Sequence, residues 1–159
     1  MAGSILAIDY GRARIGLAIA ELQTGLPRPL ATLERVNRNE DMRRLREIVG
    51  EHGVRQIVVG LPLRLDGTRG DMAEEASRFA ARTRKQLAVP VDMVDERLTS
   101  WEAERLLEEQ SGRTLHDAKA HGKSKPGQAR ASVDAVAAAV ILKDYLEQRR
   151  VTKNTSENI

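Results

Sequence analysis

Apolar residues along this chain come first in short runs and later at helical spacing. Ile5 to Asp9 is an apolar run of strand length, and Ile15 to Ala20 is a second, separated from it by the short turn Y-G-R-A-R. Leu30 to Val36 alternates in part and predicts a third strand. Met42, Leu45, Ile48 and Val49 then recur at helical spacing across Asp41 to His52, and Gly53 supplies the stop. Gln56 to Val59 reads as a buried strand, followed by the turn G-L-P-L-R-L-D-G-T. Asp71, with Glu74 three residues on, predicts an N-cap for a helix through Met72, Ala76, Phe79 and Ala80. Val91 to Val94 is the last strand, after which Thr99 and Glu102 form a capping box for another helix. Val133, Ala137, Ile141 and Tyr145 mark the apolar stripe of a final helix, widened by Val136 and Val140. Ala135, Ala138 and Ala139 are small enough to let that helix lie close to a sheet.

This order predicts an α/β fold, with three antiparallel strands followed by crossovers that add two parallel ones. Right-handed crossovers place Gln56–Val59 and Val91–Val94 beside the first strand, with helices packed on the sheet. The first strand is then central. Ligands of such open sheets bind beyond the carboxyl ends of the strands, and Asp9 and Glu96 both lie there. Asp134, read here as opening the last helix, joins them only if that helix begins near the same edge.

Composition narrows the class. The chain has 159 residues, predicting one domain over 1–149 with an aliphatic core, since it contains one Trp, two Tyr and one Phe. No apolar run approaches a membrane span, and cysteine is absent, which excludes disulfides and thiolate metal sites. A soluble cytoplasmic protein with no membrane partner is expected. The formal charge of +3 is too small to argue nucleic-acid binding by itself. Its distribution says more: the Gly- and Pro-containing segment 111–130 holds Arg113, Lys119, Lys123, Lys125 and Arg130 against one acid, Asp117. This reads as a basic flexible loop, suited to a phosphodiester backbone or equally to a solvated insertion. Residues 150–159 show no periodicity and are expected to form a disordered tail.

Asp9, Glu96 and Asp134 carry the candidate chemistry. Acids meeting at one sheet edge repel one another unless a divalent cation neutralises them. That points to a metal-dependent enzyme acting on phosphate esters. Asp134 has a plain alternative, because an acid in a first helical turn is favoured by the helix dipole alone. Alternation turns Asp95 away from Glu96, toward a supporting role.

The segments I-D-Y-G-R-A-R-I-G, V-V-G-L-P-L-R-L-D-G-T, V-D-E-R-L-T-S and S-V-D-A-V-A-A-A-V-I-L, in that order, closely resemble the YqgF/RuvX family. Members are described as Holliday junction resolvases and are usually assigned to maturation of the 5′ end of precursor 16S ribosomal RNA. The resemblance spans Ile5 to about Tyr145 and implies a ribonuclease H-like fold with a five-stranded mixed sheet. It implies Asp9, Glu96 and Asp134 as catalytic residues and ligands of two Mg²⁺ or Mn²⁺ ions, with Asp9 bridging both. The chain differs from the family in a longer loop before the last motif. It also has Ser132 where members often carry Lys, with Arg130 two residues earlier.

Candidate nucleic-acid contacts are Gly11, Arg12, Arg14, Arg97, Lys123, Lys125 and Arg130. Arginines on a turn are often merely solvated, and Arg97 has the alternative of pairing with Asp95. Gly16 suits either a close phosphate approach or an ordinary strand glycine. The implied function is a metal-dependent endonuclease acting on precursor rRNA or branched DNA, as a monomer or homodimer, in association with ribosomal particles. A non-catalytic RNA-binding assembly factor is the alternative from another class. An actin-like phosphotransferase, which D-Y-G-R-A-R-I-G also resembles, needs two such domains, and this chain has length for one.

Overall fold

The structure is a computed structural model that describes residues 3–61, 70–95 and 128–157; for 128–132 and 151–157 it describes the backbone only. The described residues form strands β1 (Ser4–Asp9), β2 (Arg14–Glu21), β3 (Arg28–Glu34), β4 (Val54–Leu61) and β5 (Val91–Asp95). Their helices are α1 (Arg38–His52), α2 (Asp71–Leu87) and α3 (Gln128–Glu157). The helix expected after Thr99, including Trp101, lies outside the described residues.

The sheet runs β3-β2-β1-β4-β5. β1, β2 and β3 pair antiparallel, while β4 joins β1 and β5 joins β4 in parallel. This is the mixed arrangement that the strand pattern predicts. Side-chain alternation divides the strands between two cores. Leu6, Ile8, Leu17, Ile57 and Val59 meet Met42 and Leu45 of α1 and Phe79 of α2 on one face. Ile5, Ala7, Ala18, Ala20, Val58 and Val94 meet Ala138, Ile141, Leu142 and Tyr145 of α3 on the other. The α3 face of β1 and β2 is thus largely alanine, and small side chains let the helix descend onto the sheet.

Helix boundaries differ from the expected ones for local reasons. α1 begins before Asp41 because Asn37 caps it, accepting from the Glu40 amide at 2.8 Å. α2 has Gly70 as its N-cap, so Asp71 is its first helical residue. The Glu74 amide bonds to the Gly70 carbonyl at 3.2 Å. The stripe on α3 is shifted, with Val133 being 49% exposed while Ala138 and Leu142 are fully buried. Residues spaced by four drift around a 3.6-residue helix, which puts Val133 about 120° away from Tyr145. Residues 150–157 continue α3 instead of forming the expected disordered tail. No Gly or Pro interrupts that segment, and extending an existing helix costs little per residue. α3 also begins at Gln128, so the end of the 111–130 segment is helical and Asp134 is the seventh residue of the helix.

Sheet and helix approach closely at Gly16. A Cβ built there would lie 2.0 Å from the Asp134 carbonyl oxygen and 2.4 Å from its carbon. These are backbone atoms, so relief requires moving α3 bodily. Gly16→Ala is expected to destabilise the fold by about 1–3 kcal/mol, the usual cost of overpacking, read as a lower urea midpoint at unchanged slope.

Further along α3, the Tyr145 hydroxyl donates to Asp92 Oδ2 on β5 at 2.7 Å. Burial, and then that carboxylate, push the phenol up to about 12 from its ordinary value of 10.0. The fold therefore favours the protonated phenol. Its contribution is complete below pH 10 and is lost as pH rises through about 12. Ultraviolet titration should show a tyrosine ionising at that high pH, and Tyr145→Phe should remove it.

Candidate active site

β1 carries Asp9 at its carboxyl end, partly buried, on the face where Ile5 and Ala7 meet α3. In the antiparallel register Asp9 lies directly opposite Gly16 of β2. Opposed residues of such a pair project to the same face, and it is there that Gly16 receives the backbone of Asp134. Asp9 and Asp134, 125 positions apart in sequence, are thereby neighbours separated by one glycine. Gly16 serves this helix contact, a role that neither reading of its sequence position named. Asp134 lies in the second turn of α3, and no acid occupies the first. Dipole stabilisation fades within one turn, so the plain account of this acid loses its basis.

The β1–β2 turn has a cation reaching toward each side of the sheet. Arg14 Nε donates to Asp134 Oδ2 at 3.2 Å on the α3 side. Arg12 Nε lies 3.1 and 3.0 Å from the two carboxylate oxygens of Glu75 on α2, across the sheet. The hydrogen bond and charge of Arg12 hold the Glu75 carboxyl below the ordinary carboxylate range. Gly11 is required by the turn itself, since a Cβ there would meet the Arg14 carbonyl oxygen at 2.4 Å.

A second set of residues, absent from the sequence-based candidates, fixes this turn from below. Arg35 follows β3, and its guanidinium donates to the Gly11 carbonyl at 3.2 Å and the Tyr10 hydroxyl at 2.9 Å. Its Nε bonds to buried Asp41 at 3.1 Å, whose other oxygen accepts from the Val36 amide. The same guanidinium lies over the rings of Tyr10 and Phe79. In the sequence Asp41 stood only at the start of an expected helix, and its burial was the missing signal.

Other expected site residues fall elsewhere. Glu96, Arg97, Lys123 and Lys125 lie outside the described residues, and Arg130 is in the first turn of α3 with only its backbone described. Asp95 ends β5 with the parity of Met93, which faces α2 through Ser77. It therefore lies on the face away from α3; its expected opposition to Glu96 falls outside the described residues. Among the described residues no group of three acids or histidines is gathered around one point. Asp9 and Asp134 are two of the three acids expected as ligands, and their oxygen-only chemistry would fit hard cations such as Mg²⁺ or Mn²⁺.

Comparison with known proteins places this geometry in context. The family model described as RuvX, Holliday junction resolvase, matches residues 3–148. A protein of Chloroflexus aurantiacus named "Putative pre-16S rRNA nuclease" is 40% identical over 155 residues, covering 98% of this chain and 94% of its own. Proteins of the same name from Koribacter versatilis and Anaeromyxobacter dehalogenans are 41% and 42% identical, over 95% and 91% of this chain and 91% and 96% of theirs. Among solved structures, Thermus thermophilus RuvC in complex with a Holliday junction substrate superposes with a TM-score of 0.54 at 14% identity. That match covers 93% of this chain and 96% of RuvC, and establishes a shared ribonuclease H-like fold. With the family model matching residues 3–148 and relatives near 40% identity over more than nine-tenths of their length, the chain belongs to the RuvX family.

Proposed function

We propose that this protein is a metal-dependent nuclease that hydrolyses phosphodiester bonds in the 5′-end processing of precursor 16S rRNA. The observation that carries this reading is the meeting of Asp9 and Asp134 across Gly16, at the carboxyl end of the central strand. Two carboxylates on one sheet face form an anionic site beside a basic turn, which suits a cation that in turn binds phosphate. The names of the relatives support the choice of reaction and of RNA.

Asp9, Asp134 and Glu96 would hold two Mg²⁺ or Mn²⁺ ions. When bound, such ions neutralise the phosphate and make water a stronger nucleophile. The residues of the chain supply the rest. β1 holds Asp9 rigidly because Arg35 ties down the Tyr10–Gly11 segment that follows it. α3 delivers Asp134 on its backbone seat at Gly16. Arg12, Arg14 and Arg97 would meet phosphates at the turn, and Lys123, Lys125 and Arg130 would extend the basic track. Nothing in this set reads base edges, so recognition rests on the backbone. No described helix is long and apolar enough to cross a membrane, consistent with work in the cytoplasm on ribosomal particles.

A second reading, a Holliday junction resolvase, is favoured by the family description and by the fold shared with RuvC. The two separate on substrate. Side by side, the protein should cut a precursor 16S 5′ leader in Mn²⁺ faster than a four-way DNA junction, and the reverse order would favour the resolvase. Asp9→Asn should lower cleavage at least about 100-fold, since even residues supporting a metal ligand cost 10–100-fold, while the urea midpoint stays near wild type. Cleavage at the wild-type rate by Asp9→Asn would end the metal-site reading. Replacing Lys123 and Lys125 by Ala should flatten the salt dependence of RNA binding by about one unit of slope per lost phosphate contact. An unchanged slope would return the loop to a solvated insertion.

A further inference from the structure

Arg14 has two possible partners of opposite kind, the carboxylate it contacts and the phosphate a nuclease must bind. It stands two residues before Gly16 on β2, so the two share a face of the sheet, the face of Asp9. Its Nε–H bonds to one oxygen of Asp134, Oδ2. The side chains are 38% and 26% exposed, which makes this a partly solvated pair of the weak kind. The pair is not what holds α3 in place. The Asp134 backbone is seated on Gly16, and buried Ala135 and Ala138 continue the contact. Removing the guanidinium would therefore leave the helix docked and change only the electrostatics of the carboxylate.

Those electrostatics carry a contradiction for a metal site. A guanidinium on Asp134 satisfies the acid that a divalent cation would need, and its positive charge repels that cation. The same guanidinium offers five N–H donors in a planar fork that matches a phosphate better than it matches one carboxylate oxygen. We propose that Arg14 is a place-holding counter-ion. It neutralises Asp134 while no metal is bound, and is released by the arriving cation to grip the substrate phosphate. The assignment rests on the reading of Asp9 and Asp134 as metal ligands. It makes Arg14 a residue that opposes metal binding and favours substrate binding, signs that a merely structural residue would not combine.

The test is titration of the metal-free protein with Mn²⁺ alone, by calorimetry, without substrate. Arg14→Gln should bind Mn²⁺ about 3- to 10-fold tighter than wild type, the effect of deleting one nearby positive charge in a largely aqueous setting. Arg14→Lys, which keeps the charge, should stay near wild type, and Arg14→Gln should bind RNA more weakly. Equal or weaker Mn²⁺ binding by folded Arg14→Gln overturns the proposal. Because that variant must fold to be informative, the unaltered chain gives a second readout. The Arg14 Nε–H resonance should shift and exchange faster with solvent when Mg²⁺ is added, and a resonance unmoved at saturating Mg²⁺ overturns the proposal as well. Asp134→Asn separates the two layers. If it binds Mn²⁺ as tightly as wild type, the metal-site reading falls. If it binds weakly while Arg14→Gln is unchanged, only the role of Arg14 falls.

Discussion

One backbone contact organises this molecule. α3 rests on β2 where Gly16 has no side chain, and the space a Cβ would fill is taken by the carbonyl of Asp134. The contact sets the height of the helix above the sheet, which the alanines at 7, 18, 20 and 138 then maintain. It also sets the position of Asp134 relative to Asp9, because Gly16 is the register partner of Asp9 in the hairpin. Packing and site geometry are thus the same constraint. A helix that rode higher would lose core contacts and separate the two acids together.

The remaining elements stiffen what this contact places. A hairpin turn next to an acid is normally among the more mobile parts of a fold. Here Arg35 binds the turn through the Gly11 carbonyl and the Tyr10 hydroxyl, and is itself braced by Asp41 at the start of α1. Asp41 also accepts the Val36 amide, so one buried carboxylate connects the end of β3, the head of α1 and the turn. A buried acid is costly unless paired and hydrogen-bonded, and both conditions are met. The outcome is that the turn after Asp9 is braced by β3 and the head of α1, the kind of support that positioning of reacting groups would require.

How much of this was legible in the sequence depended on the range of the interaction. Asp9 could be placed because its position at the end of an apolar run and its alternation with Ile5 and Ala7 are local properties. The sheet order followed from strand types and the handedness of crossovers, which are general. The start of α3 was not legible, because the Gly and Pro residues before Gln128 made the whole segment resemble a loop. Reading Asp134 as a first-turn acid was a consequence of that error. The role of Gly16 could not be decided either, since it depends on a helix more than a hundred residues away. Arg35 and Asp41 look like any solvated pair until burial is known.

A phosphodiester bond is the same in RNA and DNA, and a site of carboxylates and arginines, as proposed, would grip phosphates without reading bases. On that reading, one physical difference between a ribosomal precursor and a branched junction is the number of sites each calls for. A four-way junction is resolved by paired incisions on two strands, which calls for two sites related by a two-fold axis. Trimming one end of an RNA calls for a single site. Asp9 and Asp134 meet at Gly16 within one chain, so on the proposed reading this pair of acids would need no second copy. If the acids act as proposed, the symmetry of the assembly is a feature on which the two activities would physically differ.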